Sequence, residues 1–213
     1  MKKIKFLLFI VSFLVLSSAV SAQAFEKLCP TKNESYCVQA KKMIEAAWSI
    51  SVGEEIGNGG WEGIAAYMLK FGTVDETKFK NGIKIPDAQK FIKLYIGKLS
   101  PGDGAKAISN AFNEVYGTTP TKEEMNNWMD QIAAEKAWYS TIVLAENKKL
   151  NDDSARKTKM INLVYSRVMG RSAKPEELSK LLPENNHYRP MFNQTKAYLY
   201  SDKGKADLRE TVR

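Results

Sequence analysis

The chain has 213 residues, two cysteines, one histidine and a formal net charge of +8. Two cysteines and one histidine far apart in sequence do not make a four-ligand metal cage. A mild basic excess without a basic stripe argues against nucleic acid as a partner. With 44% hydrophobic residues, the chain can build one domain, or two small ones sharing a core.

Met1, Lys2, Lys3, Ile4 and Lys5 lead into an apolar run from Phe6 to Leu16 that only Ser12 interrupts, followed by small residues through Ala22. A charged start, a short apolar middle and a small-residue exit predict a cleavable secretory signal peptide over residues 1–22, with Ala24 as a second cleavage point. The run is about half the ~20 residues that a spanning helix needs, and no later segment approaches that length. The mature chain is therefore expected to have no transmembrane segment and to be periplasmic or secreted. Lys2, Lys3 and Lys5 leave with the signal, which lowers the basic excess. Cys29 and Cys37 remain, eight positions apart, and in an oxidising compartment a local disulfide is favoured over two free thiols.

The remaining sequence has a period of 3.6 nearly throughout, which predicts an all-α, multi-helix bundle. A first helix is expected from about Tyr36 to Val52, with Val38, Ile44, Ala47 and Trp48 on one face and Lys41, Lys42 and Glu45 on the other. Gly57 to Gly60 break the chain, and a helix from Trp61 to Phe71 stops at Gly72. Thr73 to Glu76 has the form of a capping box ahead of one short turn before Gly82. Pro86 and Asp87 start a helix carrying Phe91, Leu94, Tyr95 and Leu99 on one side, and Ser100 to Gly104 are expected to turn it.

Beyond this point a pattern recurs. Phe112-Asn-Glu-Val115-Tyr-Gly117 is followed by a polar link and then Glu123-Glu124-Met125. Tyr165-Ser-Arg-Val168-Met-Gly170 is followed by Glu176-Glu177-Leu178 at the same offset, and Ile108 maps onto Ile161. The pattern reads as a helix stopped by glycine, a four-residue link and a new helix whose first turn holds two carboxylates, where exposed amides favour negative charge. Thr121 with Glu124 suits a capping box, and Pro175 suits a first-turn position. The predicted organisation is thus a signal peptide over 1–22, a helical region over 23–104 with the disulfide, and a helical repeat region over 105–213. The repeats cover about 108–150 and 161–202.

Ile108 to Asn147, and less clearly Ile161 to Ser201, resemble a tandem helical domain of unknown function. That domain occurs in exported and surface-layer-associated bacterial proteins and is itself similar to the phycobilisome linker domain. The resemblance rests on an aromatic three residues before Val-x-Gly, the link with Pro120 or Pro175, and Trp128 in the next helix. The second copy has Leu181 where Trp128 stands, and Pro183 and Pro190 interrupt its later part. The resemblance implies a helical scaffold or interaction role and brings no catalytic residues.

Motifs for chemistry are sparse, and neither a cofactor nor a metal is predicted. Glu54 and Glu55 precede a glycine-rich loop and Trp61, an arrangement that would suit a peptidoglycan-directed glycoside hydrolase with Glu55 as general acid. Adjacent glutamates more commonly serve as solvated charge. His187 has no partner at a recognisable motif spacing and reads as a surface or capping residue, and Gly57, Gly59 and Gly60 read as an interhelical turn. Trp48, Trp61, Trp128 and Trp138 lie among apolar neighbours at helical spacing and read as core. The candidate interaction surface comprises Trp138 and Tyr139 together with Arg156, Lys157, Lys159, Arg167 and Arg171 around the second repeat. The expected function is a non-catalytic scaffold or interaction protein of the bacterial envelope, whose partner is an envelope protein, a second copy of itself or an anionic envelope polymer. A periplasmic chaperone or inhibitor is the remaining alternative, and a contiguous exposed apolar patch would mark it.

Overall fold

A computed structural model describes residues 25–211. The expected signal peptide, residues 1–22, lies outside the described residues. The described chain is all-α, with no strand, and none of its helices is long and apolar enough to cross a membrane. It divides into two compact units after Ser100.

In the first unit a single helical turn, residues 25–28, precedes α1 (Ser35–Val52), α2 (Gly60–Lys70), α3 (Glu76–Lys80) and α4 (Ile85–Leu94). α4 runs directly into a π-helical turn, Tyr95–Leu99. The apolar stripe of α1 (Cys37, Ala40, Ile44, Ala47, Trp48) is buried, and α1 packs on α4, α2 and α3. Phe79, Phe91, Met68 and Ile83 complete the core. Each such side chain contributes about 1.5–3 kcal/mol when buried. α1 stops at Gly53, whose left-handed backbone (φ 81°) turns its N–H onto the Ser49 carbonyl at 2.9 Å.

Cys29 and Cys37 stand at disulfide distance, with sulfurs 1.98 Å apart. The bond ties the first turn to α1, and the Tyr36 hydroxyl adds a hydrogen bond to the Leu28 carbonyl at 2.7 Å. Phe25 meets Trp61 and Phe79 edge-on, with centroids 5.3 and 6.4 Å away.

The second unit contains α5 (Pro101–Tyr116), α6 (Lys122–Ala133), α7 (Tyr139–Asp152), α8 (Ser154–Met169), α9 (Pro175–Leu181), α10 (Tyr188–Tyr200) and α11 (Asp202–Thr211). α5 packs on α6, α7 and α10, while α8 packs on α7, α9 and α10. Ile108, Phe112, Ile132, Ile142, Leu150 and Ile161 form its centre.

Four local expectations need correction. Val38 is 40% exposed, because the buried stripe of α1 passes through Cys37 and Ala40 instead. The cap of α3 is Asp75 rather than Thr73: its carboxylate accepts from the Lys78 N–H at 2.7 Å, a bond available to any short acceptor directly ahead of a helix. Leu99 is 46% exposed, because the wider π turn rotates it away from the face set by Phe91. Pro101 to Gly104 start α5 instead of forming a loop, since a proline in the first turn lacks only an N–H that would have no helical partner.

Candidate functional site

The polar chemistry of the second unit centres on one buried carboxylate that the sequence reading missed. Glu146 projects from α7 and is 1% exposed. The Tyr116 hydroxyl donates to its Oε2 at 2.8 Å, Trp128 Nε1 donates to Oε1 at 3.0 Å, and Lys149 Nζ lies 2.6 Å from Oε1. One carboxylate thereby gathers α5, α6 and α7 with its oxygens satisfied, the condition under which a buried charge is tolerated. Burial raises the Tyr116 phenol well above its ordinary value, and the bond to Glu146 raises it further. The signal was legible: Ile142, Glu146 and Leu150 recur every fourth residue, so the glutamate occupies a core position in an apolar stripe.

Two of the predicted basic residues repeat one arrangement. The Arg156 guanidinium lies 4.5 Å from the centroid of the Tyr116 ring and bonds Glu124, the N3 residue of α6, at 2.5 Å. The Arg171 guanidinium lies 5.3 Å from the centroid of Tyr165 and bonds Glu177, the N3 residue of α9, through two nitrogens at 2.8 Å each. Both carboxylates also accept from the backbone at the start of their helix, Glu124 from Thr121 at 2.9 Å and Glu177 from Lys174 at 2.6 Å. Burial pushes the Glu124 carboxyl up, but Thr121 and Arg156 outweigh it, so its pKa falls below the ordinary value. For Glu177 the Arg171 bond dominates and the pKa is likewise lowered.

Arg167 donates to the Gly117 carbonyl at 3.0 Å and to the Tyr188 hydroxyl at 2.7 Å. Lys157 is 2% exposed, donating to Asn151 Oδ1 at 2.6 Å and to the Glu184 carbonyl, and burial lowers its pKa. It therefore leaves the candidate surface: on α8 it shares a stripe with Met160, Ile161 and Val164, where a long side chain reaches polar partners only at its tip. Lys159 remains exposed. Trp138 and Tyr139 are half-buried at the start of α7, and burial, followed by the Glu114 charge, raises the Tyr139 phenol. Of the tryptophans read as core, Trp48, Trp61 and Trp128 are buried. His187 occupies the position ahead of α10 with Nε2 3.3 Å from Glu114 Oε1, and Arg189 approaches the other oxygen at 3.4 Å.

Each unit has a cavity of its own among the described residues. The first, about 590 Å³, has Phe25, Cys29 and Ala66 among its walls and the Lys32–Glu62 ion pair, 2.7 Å long, at its edge. The second, about 270 Å³, lies between the 118–121 link and α8. Glu55 is exposed and lines neither. No cluster of three metal-ligating side chains occurs among the described residues. No protein-family model, curated protein or solved structure matches this chain.

Proposed function

We propose that the chain is a non-catalytic helical scaffold of the bacterial envelope, exported by its N-terminal signal, that works by assembling with copies of itself or with an envelope protein. The observation that carries this reading is the use of charge in the second unit. Arg156, Arg171, Arg167, Lys157 and Glu146 are each engaged in ties between or within helices. Catalytic acids and bases need a substrate-accessible position and a tuned proton affinity. Side chains committed to intramolecular bonds instead lend stiffness, which suits a scaffold. The disulfide-distance cysteine pair is compatible with an oxidising compartment.

The segments around Gly117 and Gly170 are, in this reading, one supersecondary unit used twice, as in the phycobilisome-linker-like domains that they resemble. Left-handed glycines at φ 72° and 68° and an N3 glutamate in each following helix support it. The test is capture of the mature protein from its native envelope, with mass measurement of co-purifying chains and light scattering of the isolated protein. A recurrent partner or a defined oligomer is expected. A strict monomer with no recurrent partner would overturn the reading.

A further inference from the structure

We propose that the cavity between the 118–121 link and α8 binds a monoanionic carboxylate carrying a small apolar body. Its volume, about 270 Å³, admits a ligand of amino-acid size. Phe112, Met160 and Leu163 supply apolar wall, and the first two are 1% and 3% exposed, so that surface is fixed by the core behind it.

The basic wall is Arg156 and Lys159, one helical turn apart on α8 and hence on the same side of the helix. Arg156 engages Glu124 through Nη2 alone, which leaves its other side-chain N–H groups without a protein partner among the described residues. Among the described residues Lys159 has no ion pair, and the hydroxyls of Thr118 and Thr119 in the lining take no protein partner. With Glu124 cancelling one of the two cations, the cavity carries a single positive charge. That balance suits a carboxylate better than a phosphate dianion, and the guanidinium donors suit its planar geometry.

The second segment is built differently at the matching place. At the position matching Thr118 it carries Arg171, whose own guanidinium lies over Tyr165 and closes onto Glu177. In the first segment the short threonine cannot do this, and the covering arginine comes from α8 instead. The ligand would enter where that longer side chain is missing.

Two sources of such a carboxylate are separable. N-acetyl-L-leucine stands for a peptide C-terminus, 4-methylpentanoate for a free acid, and N-acetyl-L-leucinamide is the neutral control. Titrating the full chain with each, followed by calorimetry or by shifts of the α8 amides, should give saturable binding of at least one acid. Binding of the amide should be weaker by about tenfold or more. Lys159→Gln, at an exposed position, should weaken acid binding by a similar factor, and Leu163→Trp should remove it by filling the space, with circular dichroism checking that each variant is folded. Equal binding of acid and amide would overturn the proposal, as would an unchanged affinity in Lys159→Gln or no saturable binding of either acid to the folded chain.

Discussion

The segments around Gly117 and Gly170 close in the same way and pack differently. In both, a left-handed glycine stops a helix and an N3 glutamate starts the next, while an arginine laid on a ring of the preceding helix holds that carboxylate. Yet α6 buries Trp128 and Ile132, whereas none of the residues of α9 is buried. Gly117 lies beneath Tyr188, so close that a Cβ there would come within 2.4 Å of the ring, whereas a Cβ on Gly170 would meet open space. Helix stops and starts depend on a few neighbouring residues; what a segment contributes to the core depends on which distant helix covers it.

The sharpest way to break the symmetry is to truncate matched positions. Trp128→Ala should cost about 4 kcal/mol, because it opens a cavity and removes a donor from buried Glu146, while Leu181→Ala should cost about 1 kcal/mol. Urea unfolding monitored by circular dichroism would measure both, and comparable losses would mean that the two helices share the core equally.

Next in size is the glycine pair. Gly117→Ala should cost about 3 kcal/mol, combining left-handed strain with overlap on Tyr188, against about 1 kcal/mol for Gly170→Ala, where only the strain applies. Equal melting shifts for the two variants would contradict the packing difference.

The smallest effect concerns what the segments share. The folded pKa values of Glu124 and Glu177 are depressed, so the stability they add is present above their ordinary value of 4.5 and is lost as pH falls through the lower folded values. Glu124→Gln and Glu177→Gln should each cost under about 1 kcal/mol near neutrality, both sites being partly open to water, and together should flatten the acid limb of a stability profile. An unchanged acid limb would detach the two carboxylates from folding.

This division also explains what the sequence made legible. The Thr121–Glu124 capping box, the glycine stops and the proline start at Pro175 rest on contacts a few residues long, and all were readable. The burial of Glu146 and Lys157 was not read, although both interrupt apolar stripes at helical spacing, because a charged residue in such a stripe is ordinarily assigned to the solvent side. Their partners, Trp128 for one and the Glu184 carbonyl for the other, come from other parts of the fold. The candidate surface failed at Lys157 for the same reason: a cluster of cations in sequence carries no record of which of them the fold will enclose.

The cysteine pair has a consequence for how residues 25–30 withstand proteolysis. Everything from Phe25 to Pro30 is fastened to α1 by that one covalent link, assisted by ring contacts to Trp61 and Phe79. With the pair reduced, those few residues would hold by noncovalent contact alone and would open more readily to proteases, while the helices after Ser100 contain no cysteine. A proteolytic nick confined to residues 25–30 would therefore report a reduced pair.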